Sequence, residues 1–303
     1  MRRRGWAFLP LLLTLMMVAA ACGDSDDDSE ETQDRPNTTA APVPQFQAGT
    51  TMAALQQKGK IVVGTKFDQP GLGQKNPLNN QVEGFDVEIA KLIAVGIFGG
   101  TPETLGNKIE FVESTTPNRE LFIENGTSDI VVATYTINDA RKQRIDFAGP
   151  YYVAGQDILV KTNDNSIRGV NDLAGKNVCS VRNSTPAANL ERVAPQAQLT
   201  LFDQYSDCVS ALRDGRVQAV STDNSILLGF VAASPTEFKI VGNKFTDEPY
   251  GIGLKKGDTA FRTFINDRLE QIYRDGSWAR AFEATLGRLG IPTPTPPAVD
   301  RYA

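Results

Sequence analysis

Histidine is absent from all 303 residues. Without imidazole there is no Ser-His-Asp or Cys-His nucleophilic site, and nearly every catalytic zinc geometry is lost. No side chain of ordinary pKa then titrates near neutrality. Cysteine is scarce as well: Cys22, Cys179 and Cys208 are too few for a disulfide scaffold and make a poor metal site without histidine. Positive charge is not in excess either, with 31 Lys and Arg against 36 Asp and Glu and a net charge of -5. A pI near 5.0 excludes a basic nucleic-acid footprint. No cofactor and no metal site are expected, and the commonest tools of an enzyme are missing.

The apolar run from Trp6 to Val18 is too short to be read as a membrane span. Preceded by Arg2, Arg3 and Arg4 and followed by Ala19, Ala20 and Ala21, it reads as a secretory signal peptide over residues 1–21. The Ala-Ala-Ala-Cys junction resembles a bacterial lipobox. That resemblance implies lipidation of Cys22 and a chain exported and anchored on the extracytoplasmic face of the cell membrane. An ordinary signal peptide with an incidental cysteine is the alternative. Residues 24–34 carry seven acids and no base, and Thr38–Pro44 is mostly Thr, Ala and Pro, so 22–50 reads as a solvated tether. Seven acids exceed the net charge of -5, so the acidity belongs to the tether rather than to the folded part. In an exported chain the remaining pair, Cys179 and Cys208, reads as a disulfide; two buried thiols are the alternative. Closing that loop would stabilise by about 3–4 kcal/mol on the chain-entropy account.

From Lys58 onward short apolar runs alternate with amphipathic segments. Strands are expected at Ile61–Val63, Ile109–Val112 and Ile130–Ala133, and again at Ile158–Val160, Val178–Val181, Leu199–Phe202, Val217–Val220 and Phe238–Val241. Helices are expected from Asp86, taken as the cap, through Ile97, and over Asn118–Glu124, Pro186–Val193, Asp207–Arg213 and Ser225–Ala232. Strand Tyr250–Leu254 precedes one long amphipathic stretch, Thr259 to Leu286, expected to return to the first lobe. The tail from Pro292 to Pro297 is expected to be extended. Strands alternating with helices argue an α/β architecture with mainly parallel sheets. The segments Leu121–Thr134 and Leu212–Asp223 share one plan of helix, Gly turn and strand, which suggests two similar lobes. Carboxyl ends of parallel strands face the ligand crevice, so Thr134, Thr136 and Asp223 are candidates for lining a cleft from opposite sides.

The segments Gly84–Ala90 (GFDVEIA), Thr134–Arg141 (TYTINDAR), Ile145–Tyr152 (IDFAGPYY), Asp172–Lys176 (DLAGK) and Asp214–Arg216 followed by Asp223 occur in order. Together they resemble the polar-amino-acid family, family 3, of bacterial extracytoplasmic solute-binding proteins, the receptors of ABC importers. The resemblance covers roughly Lys58 to Gly290. It implies a two-lobe periplasmic-binding-protein fold of type II, crossed twice by the chain. Lobe 1 would be 51–153 with 249–290, lobe 2 would be 154–248, and 291–303 a Pro-rich tail.

Carried over residue by residue, the resemblance gives Arg141 the ligand α-carboxylate, with Thr136 and the backbone at Thr134, and gives Asp223 the α-ammonium. The other readings are a surface arginine in a basic run and an N-cap aspartate. Lys66, Thr116 and Arg119 match residues that meet the distal group in acidic-amino-acid binders. Otherwise Lys66 is a solvated lysine and Arg119 pairs with Glu120 or Glu124. Ser184 and Thr185 match the second-lobe loop at a helix start, and Tyr205 reaches the cleft or is a core or surface tyrosine. Tyr151 and Tyr152 read as hinge packing. Thr222 stands where some glutamine binders carry His. Counting Lys66, Arg119 and Arg141 against Asp223, an acidic amino acid leaves the cleft nearest to balance.

The resemblance therefore implies a monomeric receptor for glutamate or aspartate, asparagine and glutamine being further candidates, that delivers it to an ABC permease by lobe closure. Signalling to a membrane sensor partner is a second reading. A dehydratase-like enzyme on the same fold is a third, and no carboxylate besides Asp223 offers itself as acid or base.

Overall fold

The computed structural model describes residues 40–302. The expected signal peptide, the expected lipidation site Cys22 and most of the expected tether lie outside the described residues.

The chain enters through α1 (Thr51–Lys58), whose first turn is capped by the Thr50 hydroxyl, and passes into strand β1 (Ile61–Thr65). Three very short strands follow, β2 (Asp68–Gln69), β3 (Gly73–Lys75) and β4 (Val82–Glu83). They form a small antiparallel sheet of their own. Then come α2 (Phe85–Phe98), β5 (Ile109–Glu113), α3 (Arg119–Glu124), β6 (Ile130–Val131), the four-residue α4 (Asp139–Lys142) and the long β7 (Asp146–Ala154). The second series runs β8 (Gln156–Lys161), β9 (Asn177–Val181), α5 (Thr185–Val193), β10 (Gln198–Phe202) and α6 (Tyr205–Arg213). It ends with β11 (Ala219–Asp223), α7 (Asn224–Ala233) and β12 (Phe238–Ile240). The chain returns through β13 (Glu248–Leu254) to α8 (Thr259–Arg274) and α9 (Ser277–Glu283).

Two five-stranded sheets result, ordered β5-β1-β6-β13-β7 and β10-β9-β11-β8-β12. In each, the first two pairings are parallel and the last two antiparallel, so only the fourth strand, β13 or β8, runs against the others. The chain crosses between them at Gly155 and again between β12 and β13. The echo in the sequence has a structural counterpart. Strands β6 and β11 are each third in their sheet, and each follows its helix through a left-handed glycine, Gly126 or Gly215. The Cys179–Cys208 disulfide ties β9 to α6, with Cα atoms 5.5 Å apart, so these are not separate thiols.

The first lobe is sealed by its returning helices. Phe85, at the start of α2, packs against Tyr151, Tyr152, Trp278 and Phe282. The buried Trp278 indole donates to Tyr151 O at 2.8 Å, giving its one polar atom a partner. The long stretch expected over Thr259–Leu286 is not one helix, because Gly276 adopts φ 74° and breaks it between α8 and α9. Asp86 is not the cap of α2. Gly84 takes that position at φ 127°, where a Cβ would lie 2.3 Å from Leu72 O. Only glycine fits there. Asp86 is instead buried in the first turn, two residues after the cap, with a role in the site. Strand β6 also stops at Val131, two residues short of the expected Ala133.

Candidate functional site

The site lies where the carboxyl ends of β1, β6 and β11 meet the N-terminus of α5. The cleft there is nearly closed, leaving a cavity of only about 10 Å³, and is lined from the first lobe by Thr116, Arg119, Thr134 and Thr136. From the second lobe it is lined by Ser184, Thr185, Pro186, Tyr205, Thr222, Asp223 and Ile226. Lys66 and Arg141 do not line it; both lie in the wall behind it. Arg141 is 7% exposed and is therefore no surface arginine. Its Nη1 donates to Thr136 O at 2.6 Å, its Nη2 to Asn183 O of the other lobe at 3.1 Å, and its Nε lies 3.4 Å from Glu120. Burial and the neighbouring Arg119 pull its pKa down to about 10, so it is still a cation at neutral pH. Lys66 is 3% exposed rather than solvated, and its ammonium donates to Thr116 Oγ1 at 2.8 Å.

Local backbone geometry creates the first wall. Past β6 the chain turns at Thr134, which adopts φ 44°, an unfavourable region for a β-branched residue. Asp86 holds that turn, accepting the Thr134 N–H at 2.7 Å and the Tyr151 hydroxyl at 2.7 Å. Burial pushes the Asp86 carboxyl up to about 6, against the pull of those two hydrogen bonds. The turn presents the carbonyls of Ala133 and Thr134 to Arg119 Nη1, at 3.1 and 3.2 Å. Arg119 pairs with neither Glu120 nor Glu124; those acids pair with Arg141 and Arg144. Between the arginines stands Tyr135, its ring centroid 4.2 Å from the Arg119 guanidinium carbon and 5.0 Å from that of Arg141.

Asp223 closes the opposite wall. It occupies the N-cap position of α7, yet its side chain makes no capping hydrogen bond. Oδ2 accepts from the Tyr250 hydroxyl at 2.6 Å, while Oδ1 is buried without a partner. The Thr222 and Tyr205 hydroxyls beside it are likewise buried without a hydrogen bond. Burial, and then the nearby Glu248 carboxylate, push Asp223 up to about 8. One end of the cleft thus presents an unpartnered carboxyl oxygen beside two unpartnered hydroxyls. The other end holds Lys66 and Arg119, which have no ion-pair partner among the described residues.

Glu248 is the group that sequence reasoning missed. Only 1% exposed, it accepts from the Thr136 and Thr185 hydroxyls at 2.7 and 2.6 Å, and from Thr246 and Asn189 at 3.0 and 3.2 Å. It sits at the start of the returning strand and joins a hydroxyl from each lobe. No motif marks it, because its partners lie 63 and 112 residues away in the chain. Glu248, Asp86 and Glu120 add three buried carboxylates to the vicinity, so the overall charge count of Lys66, Arg119 and Arg141 against Asp223 is corrected. Pairing, not the sum, gives the cleft its polarity.

The lobes touch at several further points. Asp68 accepts the N–H groups of Tyr205 and Ser206 at 3.0 and 3.2 Å, supplying from the first lobe the cap that Gln204 leaves unmade on α6. Gly229 lies so close to Pro70 that a Cβ would fall 2.1 Å from its carbonyl oxygen. Among the described residues no cluster of His, Cys, Asp or Glu could hold a metal, and no helix is long and apolar enough to cross a membrane.

The raised Asp223 pKa sets a pH dependence. An ammonium docked on Asp223 would need the carboxylate ionised, so below about pH 8 such binding would expel a proton. Affinity is expected to rise by up to about tenfold per pH unit between pH 6 and 8 and to flatten above. Calorimetry at pH 6 in buffers of different ionisation heat should report release of about one proton per ligand bound.

Two α/β lobes joined by two crossings, with a closed polar cleft between them, define a hinged solute-binding protein. The profile of the bacterial extracellular solute-binding proteins, family 3, matches residues 61–287, and the chain belongs to that family. It is 40% identical over 250 residues to the glutamate-binding protein GluB of Corynebacterium efficiens, covering 80% of this chain and 83% of that one. It is 39% identical over 234 residues to the glutamine-binding protein GlnH of Bacillus subtilis, covering 77% and 83%. Among solved structures, an ancestral arginine-binding protein bound to glutamine superposes with a TM-score of 0.69 at 36% identity, covering 76% of this chain and 98% of that one. These relatives are binding proteins, not enzymes.

Proposed function

We propose that this protein is an extracytoplasmic receptor for an acidic amino acid, glutamate or aspartate, which it captures by lobe closure and delivers to an ABC importer. The observation that carries the reading is the polarity of the cleft: Lys66 and Arg119, without an ion-pair partner among the described residues, at one end, the unpartnered Asp223 Oδ1 at the other. Asp223 takes the α-ammonium, with the Thr222 and Tyr205 hydroxyls beside it. The α-carboxylate meets the N–H groups at the start of α5 and the arginine wall, where Arg141 exchanges its Thr136 and Asn183 carbonyl contacts for the ligand. Lys66, Thr116 and Arg119 receive the distal carboxylate. A neutral amide there would leave a buried cation short of an anion. The names of the relatives, which span glutamate and glutamine, support the amino-acid class.

Closure follows from the division of the site. Each lobe holds part of the ligand's contacts, so the ligand binds the closed form more tightly and shifts the population toward it. Asp68 and Glu248 add contacts that only the closed form makes complete. We propose further that Cys22 carries a lipid and that the residues between it and Ala41 tether the monomeric receptor near its permease. The rest of the expected tether, 41–50, is instead packed on the first lobe, where Ala41 pairs with Gly100 and the Phe46 ring meets Phe264 edge-on at 5.4 Å. Mass spectrometry of the small molecules released from the denatured, natively purified protein tests the ligand. Glutamate or aspartate is expected; release of a cationic or apolar amino acid would contradict the assignment.

A further inference from the structure

The chain from residue 288 onward lies past the family match, which ends at residue 287. After the irregular run from Pro292 to Pro297 it does not leave the surface. Asp300 N–H donates to Gly149 O at 2.8 Å, and its carboxylate lies 3.6 Å from Lys142 Nζ. Arg301 reaches Asp267 at 2.6 Å and Glu270 at 3.0 Å on α8. The hydroxyl of Tyr302 accepts the Phe147 N–H at 2.8 Å. Its ring lies between two cations, Lys142 Nζ at 4.1 Å and the Arg262 guanidinium carbon at 4.4 Å from the centroid.

Those contacts converge on the support of the arginine wall. Lys142 is the residue after Arg141 on α4, a helix of four residues. A single turn of helix is not stable alone, so its place must be fixed from outside. Phe147 packs edge-on against Tyr135 at 4.8 Å, and Tyr135 is the ring shared by Arg119 and Arg141. Tyr302 joins the same apolar cluster of Ile123, Val131, Ala133, Tyr135, Ile145 and Phe147.

We propose that residues 299–302 form a strap, and that Tyr302 is a positioning residue that holds α4 and hence Arg141 in place for the ligand. The proposal rests on the receptor reading above, but half of its test does not. Hydrogen exchange in the free protein reads the strap alone. In Tyr302→Ala the amides of Lys142, Gln143, Arg144 and Ile145 should exchange about tenfold faster, while those of Val209–Leu212 in α6 keep their rates. Calorimetry then reads the consequence: Tyr302→Ala should weaken glutamate binding about five- to tenfold, and Tyr302→Phe, which keeps the ring but not the acceptor, should fall between. Unchanged exchange in α4 would overturn the strap. Faster exchange there with glutamate affinity unaltered would overturn the positioning role. If the parent protein binds no amino acid, the receptor reading fails and the exchange rates alone decide the strap.

Discussion

Replacing Asp223 with Asn is expected to raise the dissociation constant for glutamate by about 10²- to 10³-fold while making the free protein more stable at pH 7. The loss follows from geometry. Oδ1 of Asp223 is buried and unpartnered, facing the cavity, so a ligand ammonium there makes a charge-assisted bond shielded from water. Truncating one partner of a buried charge pair removes about 2–5 kcal/mol. The gain in stability follows from the pKa. In the unfolded chain this carboxyl is ionised above its ordinary value of 3.8, whereas in the fold it is held up to about 8. Folding between those values takes up a proton, so the group's penalty on stability grows as pH rises from about 4 to about 8 and is complete above. Asn is neutral throughout, retains an acceptor for the Tyr250 hydroxyl, and carries no such penalty. Thermal unfolding of the free proteins at pH 7, set beside their titration curves, checks both signs. A variant that binds as well as the parent would remove Asp223 from the site.

Lys66→Met should act in the same two directions at the other end of the cleft. The ammonium is 3% exposed, and burial, then Arg119, hold its pKa well below the ordinary lysine value. Its one close partner is the Thr116 hydroxyl. Exchanging such a group for an apolar side chain of similar length is expected to stabilise the free protein by about 1–3 kcal/mol. Affinity for glutamate should fall by about 30- to 1000-fold, because the distal carboxylate then enters a pocket short of one cation. Affinity for glutamine should fall far less. Melting temperature and the two dissociation constants, measured side by side, check it. An equal loss for both ligands would place Lys66 in the general wall rather than at the distal group.

Residues that lower stability and raise affinity are the ones a sequence exposes least completely. The frame was readable where hydrophobic periodicity is strong: Ile61–Val63 and Val178–Val181 announce β1 and β9, and the paired helix-Gly-strand units announce the two lobes. Elements β2, β3 and β4 left no such trace, because two- and three-residue strands such as Asp68–Gln69 have no periodicity to read. Asp86 was visible as part of a motif, yet a polar residue at a helix start looks like a cap. Only the backbone at Gly84 reveals that the cap position is taken and that the carboxyl turns inward to Thr134 and Tyr151. The motifs proposed Arg141 and Lys66, but not that both stand behind the cavity wall. Glu248 and Tyr302 were invisible for one reason. The Thr185 and Thr136 hydroxyls on Glu248 lie 63 and 112 positions away and the Phe147 N–H on Tyr302 lies 155 away, so pairing across the fold, not local pattern, gives them meaning.

The sharpest test of the account is the ratio of two dissociation constants. Isothermal titration of the purified, ligand-stripped protein at pH 8 should find glutamate bound at least about tenfold more tightly than glutamine, which is about 1.4 kcal/mol. Glutamine bound as tightly as glutamate or more so, or no heat from either, would contradict it.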